Sequence, residues 1–245
     1  MATSNKCNLH ITPHFAPGHC GVTDYTICFR HWLFNDSDVF IAALTDRYNA
    51  GILKEQGLLR IGAEQPNYPR LKLFGEVLYT ERFEAAVIHY VPQGYGLHGL
   101  PVWLFDVSRM LRKAGLPVTI IAHELWSGGP GKPLRVRMKG WLQKQFLLLW
   151  LRSMGRLPNI ITTSAFTSQQ LSREGIAASW SPVFSNLGEK VNTDGLPEQI
   201  ITAVGEDKFI HVLMFGSVPP DAQPAETAAF LSLLQACYSK PIRVW

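Results

Sequence analysis

AAVIHYVPQGYGL (residues 85–97) and LPVTIIAHELW (residues 116–126) bracket an amphipathic run, and together they decide the fold. Each opens as a short, almost wholly apolar strand and then turns polar and aromatic. Continuous apolar strands are buried on both faces, which is the signature of a parallel sheet. Between them, residues 100–114 place Val102, Leu104, Phe105, Val107, Met110 and Leu111 at the spacing of one helix face, and Gly115 and Pro117 end the run. The unit reads as strand–helix–strand. Its functional groups sit at the strand C-terminal ends, where open α/β sheets bind ligands.

The same alternation extends outward in both directions. Residues 7–12 read as a strand, 13–21 as a loop rich in His, Pro and Gly, 22–34 as a helix and 39–44 (VFIAAL) as a strand. Residues 45–70 carry several Gly and Pro and resist assignment, and 76–82 read as a short helix. Downstream come a long basic and aromatic helix over 134–154, strands at 159–163 and 179–183, and a helix at 166–173. Such alternation implies a Rossmann-like, doubly wound parallel sheet covered on both faces. Residues 1–205 are expected to form this domain. The tail, 206–245, reads as one βαβ unit: strand FIHVLMF, a helix over 225–237 and strand IRVW. It either extends the first sheet or, the favoured reading, begins a second Rossmann-like domain that is incomplete in this chain.

Composition narrows the function. The chain has 245 residues, 47% hydrophobic and 17% charged, which fits a well-packed globule and excludes a disordered chain. A net charge of +4 suits small anionic ligands or a membrane surface and is too weak to indicate nucleic acid. Cys7, Cys20, Cys28 and Cys237 show no CxxC spacing, and the polar start MATSNKCNLHIT lacks a secretory core, so a cytoplasmic location is expected. No run reaches the roughly 18–20 apolar residues of a membrane span.

Candidate site residues cluster at the strand ends. Gly18 and Gly21 bracket the first strand–helix turn, where backbone N–H groups at a helix N-terminus can approach a phosphate or sugar; ordinary turn glycines are the alternative. Asp24 and Tyr25 follow in the first helical turns and shape that loop, although Asp24 is equally explained by the helix dipole. His123 and Glu124 continue directly from the most hydrophobic strand. His89, Tyr90, Gln93 and Tyr95 end the strand before it and suit sugar faces and hydroxyls, with the sheet–helix core as the alternative for Tyr90. His14, His19 and His98 lie in loops near the same edge, and Ser164 reads as a helix cap. The His-Glu pair lacks a second His four residues on, so no metal is assigned. Arg135, Arg137, Lys139 and Trp141 open the basic–aromatic helix. That pattern suits peripheral contact with an anionic membrane, or simply a solvated face on a packed helix.

These motifs, in this order, resemble the N-terminal domain of GT-B glycosyltransferases of the family-4-like retaining type. PHFAPGHCGVTDYT, VIHYVPQGYG, VTIIAHELW and NIITTSAFTSQQL carry the match, and FIHVLMFGSV is similar to the strand that opens the family's donor-binding domain. The resemblance implies two facing Rossmann-like domains, an acceptor on the first, a nucleotide-diphosphate sugar as donor on the second, and no metal or other cofactor. It implies that His123 faces the transferred sugar; Glu124 is read as its catalytic companion from its place at the strand end, with a loop-capping His123 and an Arg-paired Glu124 as the alternative. Gly18, Gly21, Asp24, Tyr25, Tyr90, Gln93 and Tyr95 would line the substrate site, and Gly216 and Ser217 would touch the donor. The expected function is hexosyl transfer to a glycan or lipid-linked acceptor, by a truncated form. SVPPDAQPAET lacks the basic residues the family places after this strand. A non-catalytic carbohydrate- or lipid-binding remnant is therefore the alternative.

Overall fold

The computed structural model describes residues 7–15, 21–33, 39–47, 51–55, 57–96, 99–128, 131–155, 158–181, 210–212 and 242–244. The chain divides into two compact units, Met1–Asn186 and Leu187–Trp245. In the first, the strands are β1 (Cys7–Thr12), β2 (Val39–Asp46), β3 (Ile52–Glu55), β4 (Leu58–Gly62), β5 (Phe83–Tyr90), β6 (Val118–Ala122), β7 (Asn159–Thr162) and β8 (Ser179–Trp180). The helices are α1 (Gly21–Leu33), α2 (Asn67–Thr80), α3 (Pro92–Tyr95), α4 (Leu104–Lys113), α5 (Leu134–Ser153) and α6 (Ala165–Arg173). In the second unit β9 (Ile210–Val212) and β10 (Ile242–Val244) pair in parallel as a sheet of their own.

The first unit is an α/β domain with an eight-stranded sheet in the order β3-β4-β2-β1-β5-β6-β7-β8, a Rossmann-like doubly wound arrangement. Every pair is parallel except the β3–β4 hairpin. The chain runs from β1 out to β2 and β4, then returns past β1 to β5 and continues to β8. The strand order therefore reverses between β1 and β5, and that switch point is where such sheets open a crevice. Parallel crossovers are right-handed, so α1 lies on one face and α2, α4, α5 and α6 on the other. The core divides accordingly. Phe74 and Val77 of α2, Leu104 and Leu111 of α4, Trp150 of α5 and Leu171 of α6 join Leu9, Ile11, Ile88, Tyr90 and Ile120 in one large cluster. Tyr25 of α1 joins Val87 and Ile121 in a small one on the opposite face.

The segment over 45–70 resolves into β3, β4 and the start of α2. All four residues of β3 are exposed, so the strand carries no apolar pattern to read. The helix expected over 76–82 is the end of α2, which starts at Asn67. Pro66 and Pro69 mask that start, yet proline is tolerated in a first helical turn because the N–H it lacks has no partner there. Gly94 of the VPQGYG motif has a packing reason. A side chain there would run into Pro13, and Thr45 Oγ1 donates to the Gly94 carbonyl at 2.7 Å, so α3 is drawn against the end of β1 and β2.

Candidate functional site

Side chains alternate between faces along a strand. Because Leu9 and Ile11 point into the large core, His10 points to the α1 face, as does His89 between Ile88 and Tyr90. Register then aligns three histidines on a diagonal. His10 stands opposite Val87, and two residues on is His89; His89 stands opposite Ile121, and two residues on is His123. His10 Nδ1 lies 3.1 Å from His89 Nε2, and His89 Nδ1 lies 3.4 Å from His123 Nε2. The His89 and His123 rings stack, 5.7 Å apart and inclined by 20°. Tyr25 meets His123 edge-on at 4.7 Å and His89 at 6.0 Å. A row of bridged rings does not converge on a point, and among the described residues no group of three His, Cys, Asp or Glu could hold a metal ion.

Burial governs the protonation of the row. His10 and His89 are both 0% exposed. Burial pulls His89 well below the usual histidine value, and the neighbouring His10 and His123 rings pull it further. His123 is brought down to about 4, again by burial. Both rings are therefore neutral at physiological pH, each with one donor and one acceptor nitrogen. Burial also raises Tyr25 above the ordinary phenol value. The backbone of His123 is held from both sides, its N–H donating to Tyr90 O at 3.0 Å and its carbonyl accepting from Thr163 Oγ1 at 3.4 Å. Among the described residues its Nδ1 has no hydrogen-bond partner.

A second set of polar groups lies at the same strand ends. Gln93, at the start of α3, connects three elements. Its carbonyl accepts from Arg47 Nη2 at 2.6 Å, its Oε1 from Lys139 Nζ at 3.2 Å, and its Nε2 donates to Ser127 Oγ at 3.3 Å. Ser127 N donates to the buried Gln143 Oε1 at 2.7 Å, and Gly140 lets this loop lie directly on α5, since a side chain there would run into the Ser127 carbonyl. Beside it is a hollow of about 580 Å³ lined by Trp126, Ser127, Arg137, Trp141 and Lys144 among others. Lys144 bonds Glu174 at 2.5 Å and sits 5.6 Å over the Trp126 ring. A larger cavity of about 760 Å³ opens at the opposite edge, against the N-terminal ends of β6 and β7. The strand-end groups make the smaller hollow the better ligand candidate, since open sheets bind at strand C-termini.

The structure brings Tyr25, His123 and the strand partner His89 together, and sets Gln93 at the same edge. Glu124 is exposed and makes no hydrogen bond or ion pair among the described residues, and Gly21 opens α1 with nothing within 4 Å of where a side chain would sit. Asp24 is half-buried in the first turn of α1. Tyr90 and Tyr95 stand apart from a ligand surface, both 0% exposed. Tyr90 faces the large core, stacked on Trp150, and the Tyr95 hydroxyl lies 2.9 Å from the carbonyls of both Ile11 and His89. Gly18, Gly216 and Ser217, with His19 and His98, lie outside the described residues. Of the basic helix, Arg135 and Arg137 are exposed and Trp141 is 60% exposed, whereas Lys139 is turned to Gln93. Phe146–Leu151 is mostly packed away, as its apolarity demands, and among the described residues no helix is long and apolar enough to cross a membrane.

His10, Arg47 and Ser127 were not singled out by sequence. His10 had a usable signal, a histidine inside the otherwise buried strand CNLHIT; Arg47 and Ser127 had none, because their roles arise from Gln93 reaching across the edge.

The sequence matches no protein-family model and no curated protein. Among solved structures the chain is similar to α,α-trehalose 6-phosphate synthase from Burkholderia multivorans, at 9% identity and a TM-score of 0.47 over 98% of this chain. It spans 62% of the length of that synthase. It is also similar to a dimerization-deficient form of Toc33 from Arabidopsis thaliana, at 10% identity and a TM-score of 0.34, over 76% of this chain and 75% of that one.

Proposed function

We propose that the first unit is the acceptor-side domain of a GT-B, family-4-like retaining glycosyltransferase, which takes a hexose from a nucleotide-diphosphate sugar to a glycan or lipid-linked acceptor. The observation that carries this reading is His123. The resemblance assigns it to the transferred sugar, and it stands at a strand C-terminus with a neutral ring and an Nδ1 that has no hydrogen-bond partner among the described residues. A neutral imidazole nitrogen suits a sugar hydroxyl, which can donate or accept, and it brings no fixed charge near the developing oxocarbenium ion. In this reading Tyr25 holds the ring, Gln93 and Lys139 present polar groups at the same sheet edge, and the Trp126–Trp141 hollow receives the acceptor. Arg135, Arg137 and Trp141 would touch an anionic membrane where the acceptor is lipid-linked.

The test is incubation of the chain with a panel of nucleotide-diphosphate sugars, with calorimetric binding and detection of released nucleotide. Donor binding with turnover that falls at least 100-fold in His123→Ala supports the reading. Donor turnover indifferent to His123→Ala overturns the assigned role. One observation favours a second reading, a non-catalytic carbohydrate- or lipid-binding remnant: SVPPDAQPAET lacks basic residues for a diphosphate. Glycan or vesicle binding without any donor binding would select it.

A further inference from the structure

The row of histidines has a property that none of its members has alone. In a neutral imidazole one nitrogen donates and the other accepts. His89 lies between two other rings, with Nε2 toward His10 Nδ1 and Nδ1 toward His123 Nε2. If His89 Nδ1 carries the proton, it donates to His123 Nε2, which leaves the His123 proton on Nδ1. His89 Nε2 then accepts, so His10 also carries its proton on Nδ1. If His89 instead carries its proton on Nε2, the same reasoning puts both other protons on Nε2. Any mixed set places two N–H groups, or two bare lone pairs, face to face across 3.1 or 3.4 Å inside the protein. Such a clash in a site this buried costs on the order of a lost buried hydrogen bond.

We infer that His10 and His89 are positioning residues that couple the three rings into one unit, so that whether His123 offers Nδ1 as donor or acceptor is set by the whole row. The inference rests on the proposed role of His123 only for its functional meaning; the coupling stands on the geometry. It gives the site two states. With all protons on Nε2, His123 Nδ1 accepts a hydrogen bond from a ligand hydroxyl. With all on Nδ1, it donates to a ligand oxygen. A hydroxyl-bearing ligand, such as a sugar, is served by both states, whereas an acceptor-only oxygen selects the second. Going from the first state to the second, the His89 Nε2 proton crosses to His10 Nδ1 and the His123 Nε2 proton to His89 Nδ1, while His10 Nε2 gives up one proton and His123 Nδ1 takes one up, so the net charge is unchanged. Tyr25 packs edge-on to His123, and the His89 and His123 rings stack.

The test uses the whole chain labelled with 15N-histidine at neutral pH. Two-bond proton–nitrogen correlation spectra read the tautomer of each ring, and a nitrogen–nitrogen coupling across the shorter bond reads the His10–His89 bridge. The expected result is the same tautomer, or the same ratio of tautomers, at all three rings, with that coupling present. A mixed set of tautomers in the unmodified protein overturns the inference and requires no variant to fold. Two substitutions sharpen it. His89→Leu should let His10 and His123 adopt different tautomers. His89→Asn, whose amide can stand near the position of Nδ1, should keep His123 hydrogen-bonded while releasing His10. An unchanged His123 spectrum in His89→Leu would also count against coupling. Agreement of the three tautomers without sugar turnover would leave this inference standing and remove the proposed function; turnover with mixed tautomers would do the reverse.

Discussion

The two faces of the sheet are built by opposite rules. The face under α2, α4, α5 and α6 is a continuous apolar core, and its few polar groups are spent on packing: Trp150 Nε1 donates to Ser108 Oγ at 2.8 Å and Leu104 O at 3.2 Å. Among the described residues the α1 face carries a small apolar cluster of Tyr25, Val87 and Ile121, and the buried polar residues His10, Thr12, Thr45 and His89 lie on that same face. Buried polar groups stabilise little and cost much when left unsatisfied. A face that buries them in a hydrogen-bonded row is giving up packing for a defined chemistry. Stability should therefore reside in the first face and pH sensitivity in the second.

The largest effect should come from the first face. Trp150→Ala removes a fully buried indole together with its stacking on Tyr90 and both hydrogen bonds. Loss of about 3–5 kcal/mol is expected, read as a fall in the urea midpoint with the slope unchanged. A loss under about 1 kcal/mol would mean that this core is not where the domain is held.

The second face should answer to acid. The folded values of His89 and His123 lie below the ordinary 6.5, so the unfolded chain binds more protons between the two. Stability is then fully present above pH 6.5 and is lost as pH falls toward about 4. At 1.36 kcal/mol per unit, His123 alone accounts for about 3 kcal/mol across that window. Urea unfolding at pH 7 and pH 4.5 measures it, and His123→Gln should flatten the slope while Trp150→Ala should not. Equal slopes in wild type and His123→Gln would dissolve the contrast between the faces.

How much of this contrast was legible follows from what each face uses. The first face announces itself through apolar runs and helical spacing, so β1, β6, α4 and α5 were placed to within a few residues. The second depends on register. His10, His89 and His123 are 79 and 34 residues apart in sequence, and only the β1–β5 and β5–β6 pairings place them on one diagonal. His123 stood out in the sequence because it follows a strand end, whereas His10 carried only the weaker signal of a histidine inside an otherwise buried strand. Tyr90 marks the limit of that signal, since the sequence reads it equally as a sugar contact or as a core residue. An aromatic residue at a strand end looks like a sugar platform in sequence, and which face it takes depends on whether its position is odd or even along the strand. His89 and Tyr90 are neighbours that end up on opposite sides.

Two matched substitutions, of smaller effect, test that last point. The Tyr95 hydroxyl serves the carbonyls of Ile11 and His89, which lie on the two strands flanking the switch point. Tyr95→Phe leaves buried acceptors without that donor and should cost about 1–3 kcal/mol. Tyr90 differs: its hydroxyl is buried and has no hydrogen-bond partner among the described residues. Tyr90→Phe removes a group that lost its water and gained no bond, while keeping the ring on Trp150. It should therefore change stability by less than about 1 kcal/mol, and in the stabilising direction. It should also leave the affinity for any sugar ligand unaltered, because the ring belongs to the core face. A marked destabilisation together with weakened ligand binding would place the Tyr90 hydroxyl in contact with the site and blur the division between the faces from which these expectations come.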